Sequence, residues 1–493
     1  MRSKAFKNIT LYLFCLFAAT LFIVVFSRST TPLIKNNWGF DSAFFILVGQ
    51  GMTKGLLPYR DFFDMKGPYL FLIEFIGQKI CYGRTGAFIV QCFNISFCLY
   101  IIGKMSDLFT TRLIWLHRII AFLPVLAVAA VNFEGGNLTE EYCLPAVLLS
   151  LYFCIKYFKG VEAGKGFKHP LLYSLFYGFA VGFICFVRIT NAATVGAILV
   201  VIFLFLLHKK EFKNAVLNLL MVFSGFVATC AGPCIFFYSK NLLPEMLNQI
   251  FVFGATYSAE FTFMQKFQRS FSHYGLYFLI LLLPVVICII YREKWYMMLL
   301  SLLSALLLLV AVTMGNAFAH YLMLFIPHVV LAVIIAIKKG SGAFKTGKNI
   351  ICVICFALFF SIHFVRVARK ASSVQNTYSN SGGGSCSYAQ DIALHIPENE
   401  RGSVYCFGDE YWSKWYTSTG TMPANRYMDW QTHYIKLMPE IEGEIASWIE
   451  NDGCLWIVVP TEGESISDKV NAVIDSHYDI EYVNEEYILY NRV

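Results

Sequence analysis

Residues 41–68 read DSAFFILVGQGMTKGLLPYRDFFDMKGP and gather Asp41, Asp61 and Asp64 with Lys54, Arg60 and Lys66. Carboxylates serve as general bases, and cations beside them hold anions. Ionisable groups are costly beside an apolar chain, so this gathering marks a candidate site. Structural roles compete with catalysis here. Asp41 precedes Ser42, Ala43, Phe44, Phe45, Leu47 and Val48, the place of a helix N-cap. Pro58 and the Gly67–Pro68 pair enforce a compact loop in which Arg60, Asp61, Asp64 and Lys66 can pair among themselves. The cap and the catalytic role are compatible, because a cap holds a carboxylate rigidly.

Three later stretches add candidates. Arg188, in FVRITN, ends a long apolar run, where an arginine is paired, snorkelling or bound to an anion. NFEGGNLTEEY carries Glu134, Glu140 and Glu141; Glu140 is the one expected to orient a substrate or support Arg188, and the other two are expected to be solvated. His320 and Tyr321 open the apolar run in GNAFAHYLMLFIP, where a lone histidine is commonly an interface residue. Asn137-Leu138-Thr139 reads as a glycosylation sequon. In the tail, Tyr411, Trp412, Trp415, Tyr416, Trp430 and Tyr434 suit either a saccharide or ordinary packing. Asp41, Asp61 and Asp64 are hard-cation ligands by type, but they form no DxD run, so a divalent cation is unsupported and no cofactor is required. Neither a GxxxxGK[ST] loop nor a strand-associated GxGxxG is present to cradle a nucleotide.

The elements that must position these groups are apolar. The chain is 57% hydrophobic and 14% charged, with a mean hydropathy of +0.58, against about a quarter charged in a soluble domain. Span-length runs fall at 9–27, 86–103, 113–131, 142–158, 171–188, 190–207, 215–238, 273–291, 296–313, 321–337 and 349–366. Arg118 argues that the third begins later than 113. Tyr69–Tyr82 carries Glu74, Gln78 and Lys79 and reads as interfacial or re-entrant. The first run has a basic start and no clear cleavage site, so it is expected to be a retained anchor. With the N-terminus cytoplasmic, Lys and Arg recur in every loop expected inside, while 132–141 and 315–320 have none. The net charge of +7 is thereby accounted for without nucleic acid. The Asp41 loop, Arg188, His320 and the tail are then all extracytoplasmic.

The expected architecture is a polytopic α-helical membrane protein of about 11 transmembrane helices, residues 1–366, with its first external loop over 28–85. A Ser/Asn/Gly-rich linker, 367–387, leads to a small extracytoplasmic α/β domain, 388–493. SVYCFG and CLWIVVP read as buried strands, Pro439–Glu450 as a helix burying Ile441, Ile445 and Ile449, and Ile480–Val483 with Tyr487–Tyr490 as a closing strand pair. Cys386, Cys406 and Cys454 leave a disulfide open and lack the CxxC spacing of a zinc site.

The ordered set D-x-x-x-F, G-x-x-P-Y-R-D-x-F-D-x-K-G-P and GGNLTEEY resembles the GT-C membrane glycosyltransferases. The branches concerned are bacterial, similar to protein O-mannosyltransferases and lipid A aminoarabinose transferases, and the resemblance runs from Arg28 to about His320. It implies an inverting transfer of a sugar from a polyprenyl-phosphate donor, undecaprenyl phosphate in a bacterium. The acceptor would be an envelope glycan, glycolipid, protein or teichoic-acid-like polymer at the outer face of the plasma membrane. Asp41 matches the catalytic base; Asp64 and Lys66 match the FDxKGP element that shapes the same site. The resemblance makes Arg188 the carrier-phosphate ligand, with His320 and Tyr321 supporting. Single-step inversion through an oxocarbenium-like state needs one carboxylate on the acceptor side and cations for the leaving phosphate. The rival readings are a flippase for lipid-linked saccharides, which would place polar groups at the midplane on repeated broken helices, and an inactive assembly scaffold.

Overall fold

The computed structural model describes residues 2–34, 39–111, 113–259, 261–315, 317–340, 365–371, 385–463 and 465–493. Among these, eight helices are long and apolar enough to cross a membrane, or nine if the bent pair Phe263–Tyr274 and Leu279–Ile290 is one span. They follow the apolar runs closely, because in a bilayer a helix satisfies its own backbone hydrogen bonds. Most of the expected run 349–366 lies outside the described residues. Ile114–Asn132 begins where the apolar run does, and Arg118 lies inside it. The arginine is accommodated because it donates to Asp107 at 2.9 and 2.8 Å. Leu171–His208 is helical over 38 residues, about twice what a hydrocarbon core of ~30 Å needs. Its backbone breaks at Arg188, which is extended at φ −163°, ψ 112°. That break is where the sequence separates 171–188 from 190–207. Pro68–Ile80 is a helix of only 13 residues, below span length, as the Tyr69–Tyr82 pattern suggests.

Two compact units result. The first comprises Met1–Ser27, Val90–Phe236 and Phe261–Val374. Within it, glycines let helices touch. A Cβ on Gly178 would lie 2.0 Å from the Val222 carbonyl oxygen, and one on Gly225 would lie 2.2 Å from that of Leu175. Small residues serve the same purpose in membrane helix pairs generally.

The second unit comprises Arg28–Ile89, Phe237–Glu260 and Gln375–Val493. Its tail holds a four-stranded sheet, β1 (Val404–Cys406), β2 (Trp456–Pro460), β3 (Tyr478–Val483) and β4 (Tyr487–Arg492), in the order β1-β2-β4-β3. β1 and β2 are parallel, β4 is antiparallel to β2 and β3, and a register shift falls at Ile480/Tyr482. Glu440–Asn451 lies in the crossover and buries Ile441, Ile445 and Ile449. All four strands and this helix lie where the hydrophobic pattern puts them. Cys406 and Cys454 are buried free thiols. The core also takes in Phe63 from the first loop and Phe253 from the 237–260 segment. Arg84 ties down the 28–34 segment by donating to the carbonyls of Arg28, Ser29, Thr31 and Ile34.

Candidate functional site

Asp41 begins the helix Asp41–Thr53, with Phe40 at the cap position and no side-chain capping bond. The cap role is therefore not what the aspartate does. Half-buried, its carboxylate accepts no hydrogen bond from any described residue. The Asp41–Thr53 helix is fixed by its neighbour Pro68–Ile80. They approach so closely that a Cβ on Gly49 would meet the Glu74 backbone at 2.9 Å.

The connecting loop is locked from within. Tyr59, in the left-handed region at φ 70°, donates its N–H to Phe62 and its hydroxyl to the Lys66 carbonyl, each at 2.9 Å. The Asp64 carboxylate is buried, accepts the Lys66 N–H at 3.0 Å and lies 3.4 Å from Lys66 Nζ. Burial pushes its pKa up, Lys66 pulls it down through charge and hydrogen bonds, and the nearby Asp41 charge adds to the rise, with a net upward shift. Gln249 clamps the turn, accepting from Asp64 N–H at 3.1 Å and donating to the Tyr59 carbonyl at 2.9 Å. Nothing local in the sequence signals Gln249. Arg60 and Asp61 pair with each other at 2.8 Å, and Asp61 also accepts the Leu57 N–H at 2.6 Å. With Arg426, Tyr427, Glu444 and Trp448 they line a cleft of about 490 Å³, of which Asp41 is not a lining residue. The loop charges thus do pair among themselves, and Asp41 is left over.

The second grouping belongs to the other unit. Arg188 Nη1 donates to the fully buried Glu140 carboxylate at 2.9 Å, and the guanidinium lies 4.2 Å from the centre of the Tyr321 ring. Thr139 donates to the other Glu140 oxygen at 2.9 Å. His320 Nδ1 meets Glu134 at 2.5 Å, and the Ala319 N–H donates to the same carboxylate at 3.2 Å. Burial pushes the Glu134 pKa up, but the bonds from His320 and Ala319 outweigh it and hold it below the usual value. Glu134 is therefore engaged rather than solvated. Glu141 is the other correction: it is wholly buried and accepts from Gln91 at 2.9 Å and from Asn137 N–H at 3.0 Å. The glycines of GGNLTEE demand this turn, for a Cβ on Gly136 would strike Phe133, Ser27 and Gln91. Asn137 itself is buried, its Oδ1 bonded to the Tyr142 hydroxyl, so the sequon presents no accessible amide. Arg188, Glu140, Tyr321, His320 and Glu134 form one cluster with an arginine near an aromatic face, suited to an anion. No group of three or more His, Cys, Asp or Glu placed to hold a metal ion occurs among the described residues.

No family model and no curated protein matches the sequence. Solved structures do. ArnT from Cupriavidus metallidurans bound to undecaprenyl phosphate superposes with a TM-score of 0.58 at 13% identity, over 98% of each chain. Its apo state gives 0.55 at 12% identity, over 99% of this chain and 98% of that one. The chain has the ArnT fold. That is a GT-C type architecture, and the coverage carries the ArnT fold through the tail as well as the spans. At 12–13% identity, the fold is what the likeness establishes.

Proposed function

We propose that this protein is an integral-membrane inverting glycosyltransferase. It moves a sugar from a polyprenyl-phosphate donor to an envelope glycan, glycolipid or protein acceptor at the extracytoplasmic face. The observation that carries the reading is Asp41, a half-buried carboxylate without a hydrogen-bond partner among the described residues, in a chain with the ArnT fold. A related fold holding undecaprenyl phosphate supports the donor class. The absence of Lys and Arg from 132–141 and 315–320 supports the orientation.

In this mechanism the acceptor oxygen attacks the anomeric carbon as the bond from that carbon to the phosphate oxygen breaks. Asp41 takes the acceptor proton, and polyprenyl phosphate departs with its charge held by cations. Arg188, fixed by Glu140 and Tyr321, is the phosphate ligand; His320, held by Glu134, supports it. Asp64 and Lys66 act by rigidity, holding the loop behind Asp41.

The test compares membranes carrying the wild type or Asp41→Asn, supplied with labelled polyprenyl-phosphate sugars and envelope acceptors. Transfer by the wild type and its loss in Asp41→Asn, at equal expression and equal donor binding, is the expected result. Undiminished transfer by the variant would remove Asp41 from the chemistry. Lipid-linked sugar crossing the bilayer unconsumed would make the protein a flippase.

A further inference from the structure

The tail aromatics divide into two groups. Trp412, Trp415, Tyr416 and Tyr434 are buried. Tyr411, by contrast, is 44% exposed, and Trp430 is half-buried. The Tyr411 ring lies 4.3 Å from that of Phe40, which is 54% exposed, and 6.3 Å from Trp430. Trp430 in turn meets His433 at 5.6 Å. A row of rings therefore starts at the residue immediately before Asp41.

Specific interactions maintain this row. Trp430 sits in the left-handed region at φ 54°, ψ 29°, a conformation that costs a bulky side chain energy and that recurs at functional sites. Buried Asp429 holds it there. Its carboxylate accepts the N–H groups of Trp430 at 3.0 Å, Trp412 at 3.1 Å and Ser413 at 3.3 Å. One side chain thus fixes both Trp430 and the start of the Trp412–Thr419 helix, which follows Tyr411 directly. Around the rings lie polar groups. Lys414 Nζ is 3.5 Å from the centre of Phe40, and Thr432 donates to exposed Asp409 at 2.6 Å.

The rings are not coplanar: Phe40 is tilted 56° and Trp430 77° from Tyr411, and Lys414 Nζ covers the Phe40 ring. Tyr411 is thus the exposed ring, edged by carboxylate and ammonium groups, that matches a pyranose, which has an apolar C–H face and a rim of hydroxyls. An acyl chain would find an ionisable edge. An anionic ligand would meet Asp41, Asp409 and Glu410 with Lys414 as the neighbouring cation. We propose that Tyr411, flanked by Phe40 and Trp430, is the stacking platform for a neutral pyranose unit of the acceptor, beside Asp41. This deepens the transferase reading above and rests on it. Stacking at Tyr411 brings a ring hydroxyl toward the carboxylate that removes its proton, so this ring selects the acceptor.

The experiment measures binding apart from catalysis. Full-length protein in detergent, wild type and Asp41→Asn, is applied to an array of neutral hexose and N-acetylhexosamine oligosaccharides. Both should retain the same class of glycan. Tyr411→Ala should lower retention at least tenfold, and Tyr411→Phe, which keeps the ring, should restore it. Tyr411 is 44% exposed and Trp430→Ala is the second variant, with thermal unfolding checked for both. If no neutral oligosaccharide is retained, or if the alanine variants bind as the wild type does, the platform is overturned. Failure of the transferase reading looks different, because it appears as transfer surviving Asp41→Asn.

Discussion

An arginine in an apolar helix has to be explained by its partners, and Arg188 has a buried carboxylate on one side and an aromatic ring beneath it. The flat guanidinium can bond Glu140, stack on Tyr321 and still present donors in a fixed plane, which a lysine ammonium cannot do. Hydrogen bonds to charged groups contribute about 1.5–3 kcal/mol. Arg188→Lys is therefore expected to weaken undecaprenyl phosphate binding by roughly tenfold or more, measured by titration calorimetry in detergent, while Asp41→Asn leaves it intact. Equal affinity in the lysine variant would show that Arg188 serves only Glu140. The sequence made Glu140 the choice among three glutamates, and the structure gives it that partner. Glu134 and Glu141 were out of reach, since no charge or pattern in the sequence ties them to His320 and Gln91 as the charge of Arg188 in its apolar run calls for a carboxylate.

At the scale of elements, the Trp412–Thr419 and Gln431–Leu437 helices depend on Asp429 at their N-terminal ends. Burial pushes its pKa up to about 6 from 3.8, although the hydrogen bonds from Ser413, Trp430 and Trp412 pull the other way. The folded state then holds a proton that the unfolded chain has released between those two values. Stability from this group is complete below pH 3.8 and is lost as pH rises through about 6. Thermal unfolding followed by tail tryptophan fluorescence should show a midpoint falling across that window, and Asp429→Asn should flatten the slope. A midpoint that rises there, or an unchanged slope in the variant, would contradict the assignment.

For the whole molecule, the tail supports the first loop. The Phe63 N–H donates to the Arg426 carbonyl at 3.0 Å, and the Tyr434 hydroxyl donates to the Phe63 carbonyl at 3.3 Å. The Phe63 ring packs against Phe253, Tyr427 and Tyr434 at 5.0–5.2 Å. Deleting residues 388–493 should leave a chain that inserts but transfers no sugar, with Lys66, only 17% exposed in the intact chain, newly open to trypsin. Phe63→Ala, costing about 3–5 kcal/mol for an aromatic lost from a core, should produce the same digestion pattern at lower temperature. Full transfer by the truncated chain would make the tail dispensable.

The sequence alone determined the spans that fall among the described residues, the strands and helix of the tail, and the polar stretches in which a site had to lie. Those features are local, written in runs of apolar residues and in periods of two and 3.6. Tertiary structure decided which charges are spent on each other. It paired Arg60 with Asp61 and Lys66 with Asp64, gave Arg188 to Glu140, and left Asp41 open. It also sorted six similar aromatics into four that are buried, a half-buried Trp430 on the edge of the core, and an exposed Tyr411 beside Phe40. Pairing and burial depend on residues up to hundreds of positions apart, and no local pattern encodes which of them meet.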